Sequence, residues 1–149
     1  MNRSKKGFTL IEMLVVIAVI AVLVAIIVPT MSHATAKAKA ATDAANLRSV
    51  LGEMNSIVIG GDKMTAATAS NLQSVKSKSY PGAKCLVVYS DPGFIDVYFM
   101  KDSQYYGLEY FASVAENGEP DAAISTAKPT APAGETYEWF EAGVGTFTE

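Results

Sequence analysis

Residues 8–28 form a run of 21 residues in which only Thr9 and Glu12 are polar. Fifteen of these positions are Leu, Ile, Val or Phe. As a helix rising about 1.5 Å per residue, the run spans roughly 32 Å. The hydrocarbon core of a bilayer is about 30 Å thick. At about 0.3–0.6 kcal/mol each, the fifteen side chains favour insertion by roughly 5–9 kcal/mol. A carboxylate at the centre of a bilayer opposes insertion by about 2.5–3.5 kcal/mol. Glu12 lies one turn from the start of the run, so its cost is smaller. The segment inserts in spite of Glu12, and the acid must serve something other than insertion.

The flanks give a direction. Arg3, Lys5 and Lys6 precede the run, and the positive-inside rule keeps them cytoplasmic. Everything after Pro29 then lies outside. A secretory signal has the same order of basic and apolar residues, with an apolar core of about 7–15 residues and a small-residue cleavage site. Ala34-Thr35-Ala36 has the composition of such a site. The run is long for that reading, and a permanent anchor fits it better.

Lys5-Lys6-Gly7-Phe8-Thr9-Leu10-Ile11-Glu12, an unbroken apolar helix and then Pro29 resemble the start of a type IV prepilin. The resemblance covers about 25 residues. It implies that a membrane prepilin peptidase cuts on the cytoplasmic side between Gly7 and Phe8. The same enzyme is expected to methylate the new amino terminus at Phe8. The cut shortens the chain from 149 to 142 residues, and the apolar helix is retained for polymerisation.

In that family the matching glutamate is thought to meet the amino terminus of a neighbouring subunit. Glu12 is therefore expected to set assembly register. A charge buried without a partner costs several kcal/mol, and a hydrogen-bonded partner offsets part of that. The plainer alternative is an acid that only complements its own helix dipole. Pro29 removes a backbone donor and crowds the preceding turn, so a helix kink or local loosening is expected there. Family members often carry glycine eight residues before this proline; here that position is Ala21, which favours helix. Alternatively, Pro29 only marks the membrane exit.

Beyond Pro29, residues 32–46 are alanine-rich. Leu47, Val50, Leu51, Met54, Ile57 and Val58 then recur at helical spacing. Gly60-Gly61 ends the pattern. One helix from Phe8 to about Ile59 follows, roughly 78 Å long. Residues 61–84 read as a connecting loop, with a short helix over 70–76. Residues 85–89 and 94–100 read as two strands joined through Asp91-Pro92-Gly93, a turn sequence. Alternation places Ile95, Val97 and Phe99 toward the helix and Asp96 away from it. A third strand is expected over 105–112, a surface loop over 120–134, and a last strand around Tyr137, Trp139 and Phe140.

The expected fold class is therefore α+β, the type IV pilin fold. Its long N-terminal helical stem is transmembrane in the first half. The outer half packs against a small antiparallel β-sheet head. The divisions are a leader at 1–7, a transmembrane and polymerisation helix at 8–29, an amphipathic helix at 30–60, the loop at 61–84 and the head at 85–149. Residues 30–149 make one globular domain, a size that suits one core.

Charge is unevenly placed. After removal of residues 1–7 the chain has 9 Lys and Arg against 15 Asp and Glu, a formal net of −6. Residues 30–84 hold seven bases and three acids, whereas 85–149 hold two bases and eleven acids. Opposite signs favour head-to-tail packing, and heterologous contacts that do not close give filaments. An acidic solvated surface accounts for the pattern equally well.

Enzyme readings find little support. The one histidine, His33, is distant in the chain from the one cysteine, Cys85, and a nucleophile pair needs hydrogen-bond reach. Cys85 reads as a small buried hydrophobe. A single cysteine allows no internal disulfide. No metal-ligand spacing is present. Glu116, Glu119 and Asp121 read as loop solvation rather than a calcium site. No cofactor or catalytic residue is expected. Tyr105 and Tyr106 suit sugar binding or simply a strand. The net negative charge argues against a dedicated nucleic-acid site, which needs a basic patch.

Together these features point to a structural subunit of a type IV pilus. Its expected partners are copies of itself, other pilins, prepilin peptidase and the pilus assembly machinery of the membrane. The filament would serve adhesion, surface motility or aggregation outside the cell. Two alternatives stay open: a pseudopilin of a type II secretion or DNA-uptake system, and a membrane-anchored binding domain that never polymerises.

Overall fold

The computed structural model describes residues 7–90 and 94–148. Arg3, Lys5, Lys6 and the turn expected at Asp91-Pro92-Gly93 lie outside the described residues. The chain divides into two compact units, Met1–Thr35 and Ala36–Glu149. Helix α1 runs Leu10–Ile59 and contributes to both.

In the first unit every described residue from 7 to 35 is exposed. Phe8 is 80% and Leu10 83% accessible. A helix apolar on all sides and covered by nothing is a membrane or assembly element rather than part of a soluble core. This helix is long and apolar enough to cross a membrane. It continues through Pro29 without a break. Proline leaves the carbonyl one turn earlier without its amide partner. Next to it, the Thr30 hydroxyl donates to the Ile27 carbonyl at 2.9 Å.

In the second unit α1 becomes one-sided. Ala40, Ala44, Leu47, Val50 and Met54 are buried at three- and four-residue spacing. They join Cys85, Val87, Tyr89, Val97, Phe99, Tyr106 and Phe111 in one core cluster. The helix ends at the glycine pair, as the sequence predicts: Gly61 takes φ 91° and the Asp62 amide bonds the Ile57 carbonyl at 3.2 Å.

The short helix of the connection lies earlier than expected. Helix α2 spans Ala66–Asn71, started by Thr65 in a reciprocal capping box with Thr68. The residues assigned to helix at 70–76 are mostly held open by side chains of α1. The Gln73 amide donates to Glu53 at 2.9 Å. Asn46 donates to the Lys76 carbonyl at 3.3 Å. Buried Asp43 takes three donors: the Ser77 hydroxyl and the amides of Lys78 and Ser79, at 2.9, 2.6 and 2.8 Å.

The sheet has four antiparallel strands: β1 Lys84–Ser90, β2 Phe94–Lys101, β3 Gln104–Tyr106 and β4 Glu138–Glu141. Their order is β3-β2-β1-β4. Register places Cys85, Phe99 and Tyr106 in one row and Val87, Val97 and Phe140 in the next. These rows face the core, so Val97 and Phe99 point where alternation assigns them.

The third strand is shorter than expected. It stops at Tyr106, and helix α3 then spans Leu108–Asn117. Two features favour the change. Gly107 begins the helix in extended geometry, and a Cβ there would lie 2.9 Å from the Tyr98 ring. From that point the apolar residues Leu108, Phe111 and Ala115 follow helical rather than alternating spacing, and all three meet the core.

The loop at 120–134 is more than surface. The Thr126 carbonyl accepts the Tyr105 amide at 2.8 Å, and Lys128 lies 5.4 Å from the Trp139 ring centroid. The loop thus lies against the second face of the sheet, where Leu86 and Val88 are fully buried. The bond from Tyr105 also places the loop beside the β3 edge. The other edge, β4, is flanked by α2, through a bond from the Gly143 amide to the Ala69 carbonyl at 3.0 Å.

Candidate functional site at the start of α1

Thr9 is the N-cap of α1. Its carbonyl accepts the Met13 amide at 3.3 Å. Its hydroxyl accepts the Glu12 amide at 3.3 Å. In return, Glu12 Oε2 accepts both the Thr9 amide and the Thr9 hydroxyl, each at 2.8 Å. This is a capping box of the pattern Thr-x-x-Glu. Sequence reasoning gave Glu12 a role and passed over Thr9. The signal was present as Thr9-Leu10-Ile11-Glu12, three residues apart and directly before an apolar run.

Phe8, Ile11, Glu12, Val15 and Val16 line a hollow of about 390 Å³ on this end of the helix. Glu12 is its one ionisable liner. Both intrahelical bonds fall on Oε2. Oε1 has no hydrogen-bond partner among the described residues and stays available as an acceptor. The arrangement holds a negative charge at a fixed place on an apolar surface. That suits recognition of a cation by charge-assisted hydrogen bonding.

The other residues singled out from sequence are dispersed. Gly7 is exposed, and nothing lies within 4 Å of where its Cβ would be, so the Gly7–Phe8 bond is sterically open. Pro29 sits in the same helix as Glu12, 17 residues on. His33 is exposed in the first unit, while Cys85 is buried in β1 of the second. Burial, and next the charge of Glu141, push the Cys85 thiol up to about 12, which keeps it protonated and unreactive. Tyr105 and Tyr106 are 4% and 7% accessible, so neither offers a sugar a platform. Tyr106 instead stacks on Tyr80 with ring centroids 4.1 Å apart. Asp121 accepts the Ala123 amide at 2.9 Å, within its own loop. Among the described residues no group of three or more His, Cys, Asp or Glu is placed to hold a metal ion.

Residues 2–28 match the model of the prokaryotic N-terminal methylation motif. Over 129 residues the chain is 30% identical to the type IV wide pilus major component PilA4 of Thermus thermophilus, covering 85% of this chain and 96% of that protein. This chain belongs to the type IV pilin family. The match extends far beyond the leader, so the head of this pilin is related as well as its start. No solved structure matches the chain. The helix-on-sheet architecture agrees with the fold class that the prepilin resemblance implies, and the relative is a pilus component rather than an enzyme.

Proposed function

We propose that this pilin is the structural subunit of a type IV pilus, cut between Gly7 and Phe8 by prepilin peptidase and methylated at Phe8. In this reading Arg3, Lys5 and Lys6 hold the leader in the cytoplasm. Residues 8–29 span the membrane, and the head folds outside. The membrane assembly machinery then draws subunits into a helical homopolymer, with other pilins as further partners, and the filament reaches the cell surface. There it serves adhesion, motility or aggregation.

The observation that carries the proposal is Glu12, fixed by Thr9 on the rim of an apolar hollow. Lipid tails are about as apolar as leucine, so an apolar helix gains little by leaving lipid for a bundle of its own kind. The polar groups must then decide when and where it leaves. After the cut, the Phe8 amine is such a group, and Glu12 of a neighbour is its complement. A subunit out of register leaves both charges unpaired, at a cost of several kcal/mol. Pro29 loosens the helix as subunits pack.

The test is Glu12→Ala in cells with no other copy of the gene. The protein is expected to insert and to be cut, while filament yield falls at least tenfold. A normal filament yield contradicts the proposal.

A further inference from the structure

The second residue of the mature chain has a part that the pairing of Glu12 with an amine does not by itself include. The Thr9 hydroxyl does two things at once. It accepts the Glu12 amide at 3.3 Å and donates its proton to Glu12 Oε2 at 2.8 Å. The Thr9 amide adds a second donor to the same oxygen at 2.8 Å. These bonds fix the carboxylate against the helix start. They also divide its two oxygens: Oε2 is used within the chain, and Oε1 accepts no bond among the described residues, on a side chain that lines the hollow with Phe8, Ile11, Val15 and Val16. The peptide bond between Phe8 and Thr9 survives removal of residues 1–7, so all three bonds are possible in the mature chain.

An ionised carboxylate in an apolar medium is costly unless it is hydrogen-bonded. A subunit waiting in the membrane has no neighbour to supply a donor. Thr9 supplies two from within the chain, and does so without consuming the oxygen that an incoming amine needs.

We propose that Thr9 is a positioning residue for assembly. Its hydroxyl holds the Glu12 carboxylate ionised and oriented in the waiting subunit, with Oε1 presented to the amino terminus of the next copy. This rests on the pairing role of Glu12 proposed above, and the experiment below separates the two.

Variants are co-expressed with the wild-type chain, and their share in purified filaments is measured by quantitative mass spectrometry relative to their share of the processed membrane pool. Thr9→Val keeps the shape of threonine and loses the hydroxyl. Its share is expected to fall about tenfold, the scale of a lost hydrogen bond to a charged group. Thr9→Ser restores the hydroxyl and is expected to incorporate within about twofold of wild type, since serine caps helices as well as threonine. In a Glu12→Ala background, Thr9→Val is expected to cause no further loss, because the group it serves is gone. If Thr9→Val is poorly cut, Thr9→Ala replaces it in the same comparison.

Wild-type incorporation of Thr9→Val alongside exclusion of Glu12→Ala overturns the role of Thr9 and leaves the pairing intact. Wild-type incorporation of Glu12→Ala overturns the pairing itself. A further tenfold loss for Thr9→Val in the Glu12→Ala background means that Thr9 only caps the helix, and also overturns the proposal.

Discussion

The hydroxyl of Ser77 donates to Asp43 Oδ2 at 2.9 Å, and both side chains are buried. With the amides of Lys78 and Ser79 on the same carboxylate, this contact fastens the end of the connection onto α1. Asp43→Ala leaves three donors without an acceptor, each worth about 1–3 kcal/mol when buried and unpaired. A loss of about 3 kcal/mol is expected in urea unfolding of the detergent-solubilised chain. Asp43→Asn keeps an acceptor oxygen and should lose less. An unchanged midpoint for the alanine variant would mean that the connection is held elsewhere.

Gly145 sits where the chain turns back against α2. It takes φ 96°, and a Cβ there would lie 2.3 Å from the Ala66 carbonyl oxygen. Gly145→Ala therefore meets backbone strain and a backbone clash together. A destabilisation of about 2 kcal/mol or more is expected, whereas Gly134→Ala, in open space at φ 93°, meets only the conformational cost. The two variants compared by thermal unfolding separate clash from strain.

The helical reading of residues 108–117 is open to the same kind of measurement. Phe111 is fully buried, with its ring edge-on to Phe99 at 5.9 Å between centroids. Phe111→Ala is expected to cost about 3–5 kcal/mol. Exposed Ala112 should accept serine with a change within about 0.5 kcal/mol. Ala115, one turn beyond Phe111, should resist a change to aspartate. In a strand, Phe111 and Ala115 would share a face with Ser113 as well, and Ser113→Leu would then be stabilising.

Cys85 makes stability depend on pH in the alkaline range. Its thiol is raised from 9.0 to about 12 in the folded chain, first by burial. Below pH 9 the thiol is protonated in both states and costs nothing. Above pH 9 the unfolded chain releases the proton while the folded chain keeps it, so stability falls as pH rises toward 12. The slope approaches about 1.4 kcal/mol per pH unit. Tyr80 and Tyr98 are also raised, chiefly by burial, and add to the fall above pH 10. Between pH 9 and 10, Cys85→Ala should remove most of the dependence. An equal slope in both proteins would contradict the assignment.

Residues whose partners are near in sequence, or whose burial follows a simple period, were readable before the structure. The run at 8–28, the face formed by Leu47, Val50 and Met54, the glycine stop at 60–61 and the inward set Val97 and Phe99 all follow from periodicity. Three features did not follow. The strand expected over 105–112 gives way to helix from Leu108: Tyr105, Tyr106, Tyr110 and Phe111 favour strands, and the switch at Gly107 lies against the Tyr98 ring, which a single sequence does not bring near. α2 was displaced because Asp43, Asn46 and Glu53, more than 20 residues away from most of their partners, compete for the backbone at 73–79. At the candidate site the miss had another cause. Thr9-x-x-Glu12 is a local signal, but Glu12 was weighed only as a charge, so its bond to Thr9 went unread.

The proposed role depends on two events: the cut after Gly7, and departure from the membrane as a filament subunit. Intact mass and N-terminal sequence of the chain sheared from the cell surface test it most directly. The expected product is a chain of 142 residues beginning with N-methylated Phe8, recovered in filaments visible by electron microscopy. A surface chain beginning near Lys37 would contradict it. Such a product is a secreted soluble domain, in which neither Thr9 nor Glu12 has any part.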